Sequence, residues 1–188
     1  MRVIAGEFRS RTLDAPPGMD TRPTSDRLRE TLFNVLAPRM EGAEFLDLYA
    51  GSGAVGIEAL SRGAARAVLV EKASPALKVL KANLARLGIR AGADVHAGAV
   101  SAFLRSGDAG EFDVVFLDPP YEAAGEYATA LGLLGGAAAA LLKTGAVVVA
   151  EHRKRDALNE KYGRLVRARV LQQGDAALSW YSLEEEQG

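Results

Sequence analysis

The sequence predicts an α/β fold built on a doubly wound, mostly parallel sheet. From residue 45 onward, short apolar segments alternate with segments whose apolar residues recur at helical spacing. Continuous apolar segments are typical of parallel strands that helices cover on both faces. The predicted strands are residues 45–49, 67–71, a short strand at Val95, 112–117 and 146–151.

Helices are predicted in the intervals between these strands. They cover residues 53–62, 75–87, 101–105 and 127–142, and Gly135-Gly136 is expected to interrupt the last of them. Gly88 directly follows the second helix, where a glycine commonly ends a helix. Residues 164–172 and 176–183 flank Gly174-Asp175 and predict a terminal antiparallel hairpin.

The N-terminal part is predicted to form a small element of its own. Ala15-Pro16-Pro17-Gly18 interrupts regular structure, and residues 1–14 are expected to pair as a hairpin around Gly6. We therefore divide the chain into an N-terminal extension, residues 1–20, and a main domain, residues 21–188. The main domain begins with a helix, because Thr24-Ser25-Asp26 offers N-cap chemistry ahead of apolar residues at helical spacing.

The composition excludes several classes of protein. The 188 residues include no cysteine, so no disulfide framework, thiolate metal site or cysteine nucleophile is expected, and the two separated histidines predict no metal site. No apolar run approaches the length of a membrane span, and the first residues lack the features of a signal peptide. We expect a cytoplasmic, monomeric protein without a membrane partner.

Basic residues are concentrated in two stretches, although the formal net charge is only −1. Residues 2–11 contain three arginines and one acid, and residues 152–169 contain seven Lys or Arg and two acids. Each stretch is either solvated surface or a face that binds phosphates. The second interpretation makes these stretches candidates for nucleic-acid contact.

A glycine-rich segment follows the first predicted strand. Gly51, Gly53 and Gly56 have the spacing G-x-G-x-x-G, and Glu71 lies twenty residues after Gly51 at the end of the second strand. Such glycines let the backbone approach a ligand, and such an acid accepts hydrogen bonds from ribose hydroxyls. The pattern fits a tight turn alone, a dinucleotide-dependent dehydrogenase or an S-adenosylmethionine-dependent methyltransferase.

Asp47 favours the methyltransferase. It lies four residues before Gly51, where a carboxylate would repel the diphosphate of a dinucleotide. S-adenosylmethionine has no phosphate but carries an ammonium and a sulfonium group, which a carboxylate attracts. Asp47 and Glu71 together therefore indicate S-adenosylmethionine as the cofactor.

The tetrapeptide Asp118-Pro119-Pro120-Tyr121 follows the fourth predicted strand. The carboxyl ends of parallel strands form the ligand crevice of such a sheet, so we expect the tetrapeptide near the glycine segment. The two prolines cannot continue a central strand, and they stiffen a turn that directs the Asp118 carboxylate and the Pro119 carbonyl outward. The alternative interpretation is an ordinary turn at the end of a strand.

Two acceptors of this kind suit an exocyclic amino group of a base. They bond its N–H groups, make the nitrogen lone pair available and stabilise the positive charge that develops during methyl transfer. Tyr121 can stack on the base and hold it in line. Methylation at pyrimidine C5 is disfavoured, because that chemistry usually needs a cysteine thiolate.

Over essentially its whole length the chain resembles the RsmD family of ribosomal RNA methyltransferases. The matching segments are residues 2–6, 9–11, 21–34, 47–53 and 118–121, with Gly174-Asp175 and Trp180-Tyr181. The run Thr-Arg-Pro-Thr-x-Asp-Arg-x-Arg-Glu at residues 21–30 is the most specific. The resemblance implies a class I S-adenosylmethionine-dependent methyltransferase fold, with seven strands and a reversed last hairpin.

The same resemblance implies the substrate. It is the exocyclic N2 of a guanine in 16S ribosomal RNA, within the small ribosomal subunit or its assembly intermediate, and the N-terminal hairpin would contact RNA. One departure concerns the cofactor adenine. Relatives often have an acid or amide after the third strand, whereas this chain has His96-Ala97-Gly98-Ala99-Val100, so the backbone around Ala99 is expected to bind the adenine.

Three groups of site residues are therefore predicted. Asp118, Pro119 and Tyr121 are assigned to catalysis. Cofactor binding is assigned to Asp47, Tyr49, Ala50, Gly51, Ser52, Gly53, Glu71, Lys72 and Ala99. Arg22 and Thr24 are added as a predicted anion site at a helix N-terminus, for the methionine carboxylate or for an RNA phosphate. RNA binding is assigned to Arg2, Arg9, Arg11, Arg27, Lys154 and Arg155.

Two other functions stay open. The tetrapeptide also permits methylation of adenine N6 in DNA or of a glutamine in a protein, and the glycine segment permits a dehydrogenase or a non-catalytic nucleotide-binding module. Asp118 in place of an asparagine, and the basic N-terminal stretch, favour RNA.

Overall fold

The computed structural model describes residues 1–17, 23–107, 109–120 and 122–184, with the backbone only for residues 23–25. The chain divides into two compact units, Met1–Ala99 and Val100–Gly188. The predicted division at residue 20 stays a prediction, because residues 18–22 lie outside the described part. Within the described residues, no helix is both long enough and apolar enough to cross a membrane.

The first unit alternates helices and parallel strands. Its elements are α1 (Pro23–Met40), β1 (Glu44–Asp47), α2 (Ala54–Ser61), β2 (Arg66–Glu71), α3 (Ser74–Leu87) and β3 (Ala93–Ala97). The strand order is β3-β2-β1, and both pairs are parallel. Asp47 at the end of β1 is in register with Leu69 of β2. The first two strands therefore end close to the glycine-rich segment.

Apolar side chains from α1 and from the strands form the core of this unit. Leu32 and Phe33 of α1 are fully buried, as are Phe45 and Leu46 of β1. The rings of Phe33 and Phe45 stack with their centroids 6.1 Å apart. Burying each such side chain contributes about 1.5–3 kcal/mol, so α1 is fixed against β1.

The second unit contains the remaining parallel strands and the terminal hairpin. Its elements are α4 (Val100–Ser106), β4 (Phe112–Leu117), α5 (Gly125–Leu134), a 3₁₀ turn (Ala139–Leu141), β5 (Leu142–Arg153), β6 (Lys161–Tyr162), β7 (Leu165–Gln173) and β8 (Ala176–Leu183). The strand order is β4-β5-β8-β7-β6. β4 and β5 are parallel, whereas β8 is antiparallel to both β5 and β7. The predicted reversed terminal hairpin is confirmed.

The number of strands and the length of the helix before β5 differ from the sequence prediction. The described residues form eight strands rather than seven, because the two-residue β6 adds to the edge of β7. The helix predicted for residues 127–142 ends at Leu134, so the expected interruption at Gly135 is confirmed. A Cβ at Gly135 would overlap the Tyr162 carbonyl oxygen, and the Gly135 carbonyl accepts the N–H of Arg164 at 2.7 Å. The helix α5 therefore ends where the backbone of residues 162–164 packs against Gly135.

Residues 1–14 of the first unit form an arm that packs against α2 and α3. The hairpin predicted here is present as a single antiparallel bridge, Arg2 with Thr12, closed by a hydrogen bond from the Val3 N–H to the Arg11 carbonyl at 3.0 Å. Val3 and Leu13 are buried. A Cβ on Gly6 (φ +82°) would overlap the Ser61 carbonyl oxygen of α2, so this turn requires a glycine.

Candidate active site

The glycine-rich segment forms a tight loop between β1 and α2. Gly51 (φ +55°) and Gly53 (φ +83°) both adopt the left-handed conformation that favours glycine. The Gly53 N–H bonds the Ala50 carbonyl at 2.7 Å, and the Gly53 carbonyl accepts the Ile57 N–H at 2.8 Å. The loop therefore leads directly into the first turn of α2.

The first and third glycines of the G-x-G-x-x-G pattern serve different purposes: Gly51 lies in the loop, and Gly56 lies in the first turn of α2. A Cβ built on Gly51 meets no atom within 4 Å, so this part of the loop borders open space. A Cβ on Gly56, by contrast, would lie 2.5 Å from Leu69 Cδ2 of β2. Gly51 thus leaves room for a ligand, and Gly56 lets α2 lie close to the sheet.

Two predicted cofactor-binding acids, Asp47 and Glu71, accept backbone N–H groups at the two ends of the glycine-rich segment. Asp47 is 1% exposed, and its Oδ2 accepts the Gly56 N–H at 3.2 Å. Glu71 is half-buried; its Oε2 accepts the Gly51 N–H at 2.9 Å and its Oε1 accepts the Ala73 N–H at 2.7 Å. Glu71 therefore holds the loop, Asp47 holds the first turn of α2, and both carboxylates place negative charge beside the loop.

Most other residues predicted to bind the cofactor lie on or near this loop. Tyr49 is half-buried, Ala50 and Ser52 are buried, and Lys72 is exposed directly after β2. Ala99 is exposed immediately before α4. The predicted anion site cannot be compared, because Arg22 and the side chain of Thr24 lie outside the described residues.

Asp118 and Pro119 lie in the second unit, directly after β4. Asp118 is half-buried and Pro119 is buried, while Pro120 is exposed and its carbonyl accepts the Ala123 N–H at 2.8 Å. Burial raises the pKa of the Asp118 carboxyl to about 7, because the charged form loses hydration. Strongly shifted groups of this kind occur often at functional sites. Tyr121 lies outside the described residues.

Three of the predicted RNA-binding arginines line one groove, between the arm and α1. The groove has a volume of about 380 Å³, and its lining includes Arg2, Arg9 and Arg27. Asp26 and Glu30 also line it. The structure thus gathers basic side chains that are up to 25 residues apart in the sequence, together with acids that moderate their charge.

The remaining predicted RNA-binding residues lie elsewhere on the surface. Arg11 is exposed on the arm but does not line the groove. Lys154 and Arg155 are exposed in the turn after β5, where Arg155 Nε lies 3.8 Å from Asp156 Oδ1. The Lys154 N–H bonds the Asp175 carbonyl at 2.8 Å, which fixes this turn against the β7–β8 connection.

Sequence reasoning missed the buried acid that anchors the arm. Glu58 of α2 is 0% exposed and accepts the N–H groups of Ile4 at 2.8 Å and Ala5 at 3.0 Å. It also forms an ion pair with Arg62 at 2.7 Å. A signal was present, because Glu58 is the one charged residue in the otherwise apolar sequence of α2. Asn83 of α3 was missed as well.

Comparisons with known proteins agree with this architecture. Residues 1–182 match a family model described as "Conserved hypothetical protein 95". "Ribosomal RNA small subunit methyltransferase D" of Escherichia coli (strain K12) is 45% identical over 121 residues, which cover 64% of this chain and 60% of that protein. The chain belongs to the RsmD family.

Two further relatives match the chain over nearly its full length. The Bacillus subtilis (strain 168) protein "Putative rRNA methyltransferase YlbH" is 36% identical over 183 residues, covering 96% of this chain and 98% of that protein. The solved structure "Putative methyltransferase yhhF from Escherichia coli" has a TM-score of 0.83 and 34% identity, with 98% of each chain covered. The class I methyltransferase fold expected of an RsmD-family member is confirmed.

Proposed function

We propose that this protein is an S-adenosylmethionine-dependent methyltransferase that methylates the exocyclic N2 of a guanine in small-subunit ribosomal RNA. The observation that carries the proposal is the half-buried Asp118 carboxyl at the end of β4, followed by the N–H-free Pro119. The names of the RsmD-family relatives support ribosomal RNA as the substrate class.

The glycine loop offers surroundings that fit the cofactor. Open space at Gly51 leaves room for a ligand, and the carboxylates of Asp47 and Glu71 provide the negative charge that a cationic ligand needs. Each carboxylate oxygen has two lone pairs, so Glu71 can accept ribose hydroxyls while it holds the Gly51 and Ala73 N–H groups. S-adenosylmethionine, when bound, supplies an electrophilic methyl group.

Further residues are proposed to complete the cofactor site. Tyr49, Ala50, Ser52 and Gly53 would line it along the loop, and Lys72 and the backbone at Ala99 would border the nucleoside. Arg22 and Thr24 stay predictions for the methionine carboxylate, since the structure does not describe their side chains. No metal is needed for the acceptor chemistry assigned to Asp118 and Pro119.

Asp118 is proposed to activate the amino group. Its ionised carboxylate accepts one N–H, and the Pro119 carbonyl accepts the other, so the nitrogen lone pair is freed from the ring. A carboxylate with a pKa of about 7 can also take the proton that the amino nitrogen loses on methylation, because its proton affinity suits neutral pH. Tyr121 is proposed to stack on the guanine.

The groove beside the arm is proposed to bind the RNA backbone. Arg2, Arg9 and Arg27 line it and would contact phosphates, and the exposed Arg11 would add a contact elsewhere on the arm. Lys154 and Arg155 in the turn after β5 would supply further phosphate contacts. Such contacts release counterions, so binding should weaken steeply as salt increases.

One assay tests the proposal against its alternatives. The protein is incubated with labelled S-adenosylmethionine and, in parallel, with naked ribosomal RNA, small subunits that lack the modification, DNA and a protein extract. We expect label in the RNA of one or both ribosomal samples, and Asp118→Ala should abolish it while leaving cofactor affinity nearly unchanged. Label in DNA or protein alone would contradict the proposal.

A further inference from the structure

Asn83 is a buried polar residue in the apolar stripe of α3. It is 0% exposed and lies between Leu80 and Leu84, which are also buried. An amide at such a position costs stability unless its donors and acceptor are paired. The partners of Asn83 therefore indicate what the residue does.

The Asn83 amide joins two segments that are distant in the sequence. Its Nδ2 donates to the carbonyl of Ser52 in the glycine loop at 3.0 Å, and to the carbonyl of Asp14 at the end of the arm, also at 3.0 Å. Its Oδ1 accepts the N–H of Asp14 at 2.9 Å. Two carbonyls and one N–H fix the orientation of the amide, because only an NH₂ group can donate to both carbonyls.

A second polar contact between arm and α3 does not reach the loop. Arg86, one turn further along α3, forms an exposed ion pair with the Asp14 side chain, which lowers the pKa of Asp14. Arg86 therefore anchors the same residue of the arm as Asn83 does, but of these two side chains it is Asn83 that also bonds the Ser52 carbonyl. This difference separates the effect of holding the loop from the effect of holding the arm.

We propose that Asn83 is a positioning residue that fixes the cofactor-binding loop and couples it to the N-terminal arm. A ligand on the loop orders the Ser52 carbonyl, which stabilises the Asn83 amide and with it the backbone of Asp14. Coupling between two sites is reciprocal, so a ligand that holds the arm also favours cofactor binding. The assignment of RNA to the arm rests on the proposed function; the link between Asn83 and the loop does not.

The first test compares isosteric and control variants by their affinity for S-adenosylhomocysteine, measured by calorimetry. Asn83→Asp keeps the shape and the acceptor but, when ionised, cannot donate to either carbonyl. We expect about tenfold weaker binding, the loss that follows when an ordering hydrogen bond is missing, and a clearly smaller loss for Arg86→Ala, which loosens Asp14 but leaves the contact between Asn83 and Ser52 in place. Wild-type affinity in Asn83→Asp, or an equal loss in Arg86→Ala, would overturn the proposal.

The second test uses the wild-type protein, so it does not depend on whether a variant folds. Amide hydrogen exchange is measured with and without S-adenosylhomocysteine. The Asp14 N–H, bonded to Asn83, should exchange more slowly when the ligand is bound, whereas the Arg9 N–H, bonded to the Gly6 carbonyl within the arm, should not change. An unchanged Asp14 rate would overturn the coupling. A failure to methylate RNA would contradict the proposed function and leave both results standing.

Discussion

The raised pKa of Asp118 makes a specific prediction about the dependence of activity on pH. In the proposed mechanism the ionised carboxylate accepts the amino N–H, and the pKa of this carboxyl is about 7 instead of the ordinary 3.8. The pH profile of kcat/KM reports the ionisations of the free enzyme. Wild-type kcat/KM should therefore rise about tenfold per pH unit below pH 7 and level off above about pH 8.

Asp118→Asn removes the titrating group and keeps the shape of the side chain. An amide oxygen accepts the same N–H without charge, so we expect kcat/KM to fall by about 100-fold or more, the usual effect of losing one preorganised electrostatic contact. The residual activity should no longer show the acidic limb near pH 7. The role of this carboxylate would be refuted if wild-type kcat/KM did not change between pH 5.5 and 8, or if kcat/KM of Asp118→Asn decreased below pH 7 in the same way as that of wild type.

The same substitution has a predicted effect on stability, whose sign follows from the direction of the shift. Between about pH 4 and pH 7 the folded protein holds a proton at Asp118 that the unfolded chain has lost. The free energy of unfolding therefore decreases as pH rises through this window. The shift of about three pKa units corresponds to at most about 4 kcal/mol, and less because the residue is partly exposed. Asp118→Asn should be more stable than wild type at pH 8. If the free energies of unfolding of the two proteins, measured by urea denaturation, changed in parallel with pH, this prediction would be wrong.

Two further predictions concern the loop and the groove. Gly56→Ala places its Cβ 2.5 Å from Leu69 Cδ2 and should lower the free energy of unfolding by about 1–3 kcal/mol through overpacking, measured by urea denaturation. In Gly51→Ala the new Cβ meets no atom within 4 Å, so the substitution should cost only about 1–2 kcal/mol of backbone strain, but it should clearly weaken binding of S-adenosylhomocysteine. If Gly56→Ala weakened ligand binding more than Gly51→Ala did, Gly51 would not be the glycine that leaves room for the ligand. Arg9→Ala should weaken binding to small ribosomal subunits and reduce the salt slope by about 1, whereas exposed Lys78→Ala on α3 should change neither. Equal effects of these two variants would argue against the groove.

The regular elements were largely predictable because burial leaves a strong pattern in the sequence. β4 was predicted with its observed bounds, Phe112–Leu117, since its strand is apolar throughout. β6 was not predicted, because two residues at a sheet edge carry no periodicity. The helix α5 was predicted too long, although its break at Gly135 was expected; its apolar residues continue past the point where the β6–β7 backbone closes in.

The residue types of the candidate site could be predicted from the sequence better than the hydrogen bonds that hold those residues in place. The glycine spacing and Asp47 indicated the loop, but the sequence pattern does not reveal that Glu71 bonds the backbone of that loop or that Asp47 bonds the first turn of α2. Glu58 and Asn83 stand in apolar stripes, which signals a buried polar contact without naming its partner. Their partners lie 54 and 69 residues away in the chain, so only the folded structure could identify them.

The atom that receives the methyl group shows whether the acceptor is an exocyclic amino nitrogen. Small subunits that lack the modification are methylated with labelled S-adenosylmethionine, the RNA is digested to nucleosides, and the labelled nucleoside is identified by chromatography and mass spectrometry. We predict N2-methylguanosine, formed by wild type and not by Asp118→Ala. Label on a ring carbon, a ring nitrogen or a ribose oxygen would contradict the proposal that Asp118 and Pro119 activate an exocyclic amino group.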